Sequence, residues 1–297
     1  MNFELTISPG ELDLDRCLFS GQVFRWRKRP DGSYEGIDGR NLYTIRRTNG
    51  IVQIDTTASR AAIDDFFNLG VDIVNIADKI LTVSPELESH IGALRGLRIM
   101  RPSDPTEVFF SFLCTANNHL KRITPMIAKL AGYGERIEGS ELHFFPRVST
   151  VAAIRETELR AFGFGYRGAT IPYAAVEAAK RGGDDWLTSL QAVGYEEAHR
   201  ELVSIKGIGH KLADCICLYG LHYEEAVPID THLWQAACRV FFPQHAGLAL
   251  TEKRYREVGD FFRDRFGRFA GWAHLYLYYE NMLRGRSVRD VVRRDGL

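Results

Sequence analysis

The chain has 297 residues, 45% hydrophobic and 26% charged, with 38 basic residues balancing 38 acidic ones to a formal net charge of zero. That composition fits a folded globular protein of one to three domains. No apolar run approaches the ~18 residues of a membrane-spanning helix, and a neutral chain has no bulk field to hold nucleic acid by charge alone.

The acidic start MNFELTISPGELDLD lacks the basic-then-apolar order of a secretion signal. A location inside the cell is therefore expected: cytoplasmic and nucleoid-associated in a bacterium, nuclear in a eukaryote. Residues 1–60 read as β-structure. Phe24-Arg25-Trp26, Tyr34-Glu35-Gly36-Ile37, Leu42-Tyr43-Thr44-Ile45 and Ile51-Val52-Gln53-Ile54 are short apolar runs separated by Pro-Asp-Gly, Asp-Gly-Arg-Asn and Thr-Asn-Gly, which are hairpin signals. From about Ala61 the period changes to that of helix, through Phe66, Phe67 and Leu69 and then Ile73, Ile76 and Ile80.

The expected fold is α+β: an antiparallel sheet carrying helices over residues 1–97, then a helical region over 98–297, with subdomains of about 106–175 and 176–297. Gly132, Pro146, Gly163, Gly182 and Gly194 fall at its helix breaks. Five scattered cysteines, Cys17, Cys114, Cys215, Cys217 and Cys238, read as reduced thiols. Basic residues outnumber acidic ones beyond Glu252, among them Arg284, Arg286, Arg289, Arg293 and Arg294. They make either a local basic face or a solvated tail helix.

Residues 201–232 carry the most information. A helix ending near Ser204 is followed by Ile205-Lys206-Gly207-Ile208-Gly209 and a second helix opening at His210 or Lys211, so 205–209 reads as a hairpin between helices. Glycines there leave the amides of the second helix uncovered, and free amides at a helix start bind phosphate; many short loops also use glycine for geometry alone. Val227-Pro228-Ile229-Asp230-Thr231-His232 places a carboxylate 19 residues after Lys211. A lysine amine attacks carbon electrophiles and a carboxylate stabilises a developing sugar cation. The plainer readings are a phosphate-binding lysine and an aspartate N-cap. Asp214, three residues after Lys211, is a rival acid that spacing does not exclude.

Lys-Gly-Ile-Gly-His-Lys-Leu-Ala-Asp-Cys-Ile-Cys-Leu followed by Val-Pro-Ile-Asp-Thr-His resembles the helix-hairpin-helix DNA glycosylases, most closely the 8-oxoguanine DNA glycosylases. The resemblance runs, with gaps, from about Leu12 to Tyr279. It implies a sheet domain like half of the TATA-binding protein and a cleft between two helical subdomains. It makes Lys211 the nucleophile and Asp230 the acid, leaving Asp214 structural. It also implies DNA contact by Gly207, Gly209 and His232, and a pocket-lining role for Cys215, otherwise a core residue.

In Cys114-Thr115-Ala116-Asn117-Asn118-His119-Leu120-Lys121-Arg122, the resemblance makes Asn117 the residue that fills the stack vacated by a flipped base and Arg122 the reader of the orphaned partner, with Asn118 beside them at the DNA. Alone the segment reads as a helix cap. In Gly163-Phe164-Gly165-Tyr166-Arg167 it makes Tyr166 and Arg167 contacts to the opposite strand; alone this is a glycine-rich turn. In Ser20-Gly21-Gln22-Val23-Phe24 it makes the Gly21 carbonyl an acceptor for N7–H of 8-oxoguanine, a proton that guanine lacks. Gly271-Trp272-Ala273-His274-Leu275-Tyr276-Leu277-Tyr278 departs from the animal members, which carry Gln and Phe where this chain has His274 and Tyr278. Both are expected at the base, with Tyr278 stacking. Iron–sulfur relatives carry four cysteines near the C-terminus and this chain does not, so neither cluster nor structural metal is expected.

The resulting expectation is a bifunctional glycosylase and apurinic-site lyase that needs no cofactor and works as a monomer, off membranes, on double-stranded DNA. It would excise 8-oxoguanine, preferably opposite cytosine, through a lysine Schiff base and β-elimination. The alternatives are the same chemistry on another oxidised or ring-opened purine, and a non-catalytic helix-hairpin-helix DNA-binding protein.

Overall fold

The computed structural model describes residues 1–294. The side chains of Arg286, Arg289, Arg293 and Arg294, part of the basic tail, lie outside the described residues.

Five strands form one antiparallel sheet in the order β1-β5-β4-β3-β2: β1 Asn2–Thr6, β2 Trp26–Lys28, β3 Tyr34–Asp38, β4 Asn41–Thr48 and β5 Ile51–Thr56. The Asn49-Gly50 turn joins β4 to β5 with both residues at positive φ, which suits a tight hairpin. Register sets Ile45 opposite Ile54, and alternation buries Tyr43, Ile45, Val52 and Ile54 on one face. Helices α1 (Leu14–Phe19) and α2 (Arg60–Phe66) cover that face. Phe66 stacks on both Trp26 and Tyr43, whose rings also meet each other at 5.5 Å.

Three elements differ from expectation. The strand placed at Phe24–Trp26 begins instead at Trp26, because Phe24 leaves the sheet and packs edge-on against Phe112, 5.7 Å away. Strand β1 and helix α1 were not foreseen; β1 is the edge partner of β5.

The helical region comprises α3 (Ile73–Val83), α4 (Glu88–Gly92), α5 (Pro105–Thr115), α6 (Leu120–Ala131), α7 (Val148–Ala152), α8 (Glu156–Ala161), α9 (Arg167–Lys180), α10 (Asp184–Ser189), α11 (Tyr195–Val203), α12 (His210–Cys215), α13 (Thr231–Val240), α14 (Glu252–Phe266) and α15 (Ala270–Arg294). A wide π-type turn over Ile216–Gly220 extends α12. Caps follow the side chains that favour them: Asp72 caps α3, Asp104 caps α5 and Asp230 caps α13. Ile73, Ile76, Ile80 and Ile91 pack in the large helical core, whereas the sheet keeps a core of its own that ends with Met100. Among the described residues no helix is long and apolar enough to cross a membrane.

Candidate active site

The hairpin sets the geometry. Gly207 has φ 99, and a Cβ there would meet Thr170 Cγ2 at 2.6 Å, so only glycine fits. Gly209 is extended, and a Cβ on it would enter open space. The two glycines therefore serve different ends: Gly207 makes the turn, and Gly209 keeps its outer side clear. Helix α12 begins with no side-chain cap, leaving its first-turn amides open. Ile208 between them is buried and anchors the hairpin in the core.

Lys211 lies half-buried in the first turn of α12, its Nζ 5.9 Å from the centre of the Phe112 ring. Phe112 in turn stacks on Tyr219 at 5.5 Å. Phe112 thus joins α5, the helix of Lys211, and through Phe24 the loop of Gly21; sequence reasoning missed it because one Phe in an aromatic-rich helix carries no local mark. Gly21 has φ 94, and its neighbour Gln22 pins the loop by donating to Arg98 O and accepting from Met100 N, both at 2.9 Å.

Asp230 caps α13, its Oδ1 accepting from the amides of His232 and Leu233 at 2.9 Å each. Lys211 and Asp230 both act electrostatically on two buried side chains, Cys215 and His274, so each lies within electrostatic reach of both. Burial pushes the Cys215 thiol up to about 11, with Lys211 pulling the other way, so it stays protonated near neutrality. Burial pushes the His274 imidazole down to about 4, keeping it neutral. His274 stacks on Tyr278 at 5.8 Å, and its Nδ1 has no hydrogen-bond partner among the described residues. Tyr278 meets the His232 ring edge-on at 6.0 Å.

Asp214 is buried and takes hydrogen bonds from Tyr195 Oη at 2.7 Å and from Tyr255 Oη. Both of its oxygens are engaged away from solvent.

A second group lies at the end of α5. Asn118 Nδ2 donates to Cys114 O at 3.0 Å, so this asparagine caps the helix. Asn117 is exposed, with φ 49, in the left-handed region that costs most residues energy. Tyr166 Oη donates to Ala116 O at 2.9 Å, and the Arg167 guanidinium donates to Ala116 O and to Asn117 O. Arg167 is only 4% exposed, its guanidinium spent on holding this turn, whereas Tyr166 is 51% exposed. Arg122 donates to Gly163 O at 3.0 Å, linking the two turns. Among the described residues no group of His, Cys, Asp and Glu could hold a metal ion.

A sheet domain joined to a helical region, with a glycine hairpin presenting a lysine near a capping aspartate, defines a helix-hairpin-helix DNA glycosylase. Residues 4–109 match the 8-oxoguanine DNA glycosylase N-terminal domain family. The chain is 35% identical over 289 residues to the N-glycosylase/DNA lyase OGG1 of Arabidopsis thaliana, covering 93% of this chain and 79% of that protein. The structure of MBOgg1 in complex with a low-affinity DNA ligand superposes with a TM-score of 0.84 at 25% identity, over 96% of each chain. The fold is also that of the Clostridium acetobutylicum 8-oxoguanine glycosylase/lyase solved with double-stranded DNA containing cytosine opposite 8-oxoguanine, at TM-score 0.82 and 23% identity over 96% of this chain and 98% of that one. The chain belongs to the 8-oxoguanine DNA glycosylase family.

Proposed function

We propose that this chain excises 8-oxoguanine from double-stranded DNA, opposite cytosine, and then cleaves the strand at the abasic site. The observation that carries this reading is that Lys211, on a hairpin with open amides, and the helix-capping Asp230 both act on the same buried pair, Cys215 and His274.

In that reaction the N-glycosidic bond breaks and its electron pair leaves with the base, which takes up a proton. Lys211 Nζ bonds to C1′ as its amine gives up a proton, and Asp230 offsets the positive charge that develops on the sugar. Ring opening gives a Schiff base, loss of a C2′ proton follows, and the 3′ phosphate departs. The Gly21 carbonyl accepts from N7–H of the damaged base. Asn117 enters the vacated stack and Arg122 reads the partner base. Asn118, Tyr166 and Arg167 shape that contact, and His232, Gly207 and Gly209 meet phosphate. The chain acts as a monomer, without cofactor and away from membranes.

Borohydride trapping on a single-lesion duplex tests the assignment. The wild-type protein is expected to give a covalent adduct and Lys211→Gln none; an undiminished adduct with Lys211→Gln would remove Lys211 as the nucleophile.

The neutral His274 ring favours a second reading of the lesion. It offers one donor and one acceptor on opposite sides of a ring, so the Watson–Crick edge is held differently than by an amide, and another oxidised or ring-opened purine becomes a competing substrate. A panel of duplexes, each with one lesion, decides between them by relative excision rate.

A further inference from the structure

Behind the lysine and aspartate lies a buried polar knot that the chemistry above does not use. We propose that Asp214 is a positioning residue that ties the helix bearing Lys211 to the segment bearing Asp230; this rests on the function proposed above.

Asp214 sits three residues after Lys211 on α12 and is 1% exposed. Its Oδ1 accepts from Tyr195 Oη at 2.7 Å and its Oδ2 from Tyr255 Oη. Tyr255 belongs to α14, and its hydroxyl oxygen accepts from the Ile229 amide at 3.4 Å and lies 3.4 Å from Val227 O. Ile229 directly precedes Asp230. A continuous hydrogen-bonded path therefore runs from the helix of the nucleophile, through Asp214 and one tyrosine hydroxyl, to the backbone beside the acid.

The groups facing this carboxyl are few. They are Tyr195 and His199 of α11, with His199 Nε2 3.8 Å from Oδ1, Cys217 just beyond α12, and Tyr255 and Arg263 of α14. Arg263 also reaches Tyr195 Oη, at 3.1 Å. Burial raises the Asp214 carboxyl to about 7, against the pull of the two hydroxyls. Burying a carboxyl is costly, and an apolar side chain of the same volume would pack as well. What an apolar side chain cannot do is bind two hydroxyls whose helices flank the site.

The knot survives a change of protonation. Ionised, Asp214 accepts from both tyrosines. Protonated, it donates to the Tyr255 oxygen, and that hydroxyl turns its own proton to Val227 O. Asparagine mimics the protonated form, with its amide N–H toward Tyr255 and its oxygen toward Tyr195.

The test compares Tyr255→Phe, Asp214→Leu and Asp214→Asn with wild type in the full chain, well below each melting temperature. Single-turnover excision of 8-oxoguanine, borohydride-trapping rate and affinity for the lesion duplex are measured. Small misplacements of reacting groups cost up to ~100-fold in rate, so Tyr255→Phe and Asp214→Leu are expected to slow excision and trapping at least about tenfold. Affinity is expected to stay within about threefold, and Asp214→Asn to restore most of the rate. A merely structural role would lower melting temperatures and leave these rates unchanged. If Asp214→Leu does not fold, Tyr255→Phe, which removes a single oxygen, still decides. Wild-type rates in folded Tyr255→Phe and Asp214→Leu, beside an active wild type, overturn this inference alone. An inert wild type overturns it together with the function on which it rests.

Discussion

Asp230 caps α13 and, in the proposed mechanism, also supplies a charge, and one substitution separates the two. Asparagine caps helices as well as aspartate does, so Asp230→Asn should leave the melting temperature nearly unchanged. Loss of one preorganised electrostatic group costs about 10²–10³ in rate, and single-turnover excision should fall by that much. Asp230→Ala should add about 1 kcal/mol of destabilisation by removing the cap. The cap was readable in Pro-x-Asp-Thr-His. The choice between Asp230 and Asp214 by spacing was not, since what engages Asp214 is the pair of hydroxyls that tertiary packing brings from Tyr195 on α11 and Tyr255 on α14. His274 gives a pH signature. Its folded imidazole is pushed down to about 4, below the usual 6.5, so its contribution to stability is present above pH 6.5 and is lost as pH falls toward 4. At pH 5 the loss is on the order of 2 kcal/mol. His274→Gln should therefore lose less melting temperature than wild type between pH 7 and pH 5; equal losses would show that the ring is not held neutral.

At the scale of elements, the hairpin glycines separate fold from binding. Gly207→Ala forces a side chain into a positive φ and against Thr170, costing at least about 1–2 kcal/mol. Gly209→Ala meets nothing in the protein. It should keep the melting temperature, and the added methyl should weaken affinity for duplex DNA, since backbone amides at a helix start need close approach to phosphate. Equal DNA affinity in wild type and Gly209→Ala would show that phosphate does not approach there. The hairpin was visible in the sequence because its punctuation is local. The true start of β2 was not: Phe24 fits a strand by type, and only its fit against Phe112, in a helix some 90 residues on, draws it out of the sheet. Strand β1 was missed for a related reason, since a single edge strand has no hairpin turn to announce it.

At the scale of the whole molecule, helical periodicity identified α3 and its buried face but could not say which core that face joins. Ile73, Ile76 and Ile80 pack with the helical core although they follow the sheet in sequence. The sheet domain is tied to the helices by Phe24 and by a largely buried ion pair, Arg25 Nη1 to Glu107 Oε2 at 2.9 Å, with the same guanidinium donating to His143 O. Burial raises the Glu107 carboxyl to about 7 and Arg25 pulls it back down. A carboxyl raised in the folded state contributes stability that is full below its unfolded value and is lost as pH climbs through its folded one. Without Arg25 the folded value rises further and ionised Glu107 is left unpaired. Near pH 5.5, where Glu107 is protonated in both proteins, Arg25→Met should thus cost only what its bond to His143 O contributes, about 1.5–3 kcal/mol. Near pH 8.5 the cost should be larger by about 3–5 kcal/mol, the penalty of stranding one partner of a buried pair. Adding Glu107→Gln to Arg25→Met should erase the pH-dependent part. Urea unfolding of the three proteins at the two pH values measures it, and a loss for Arg25→Met that is equal at both would show that this pair does not tie sheet to helices by charge.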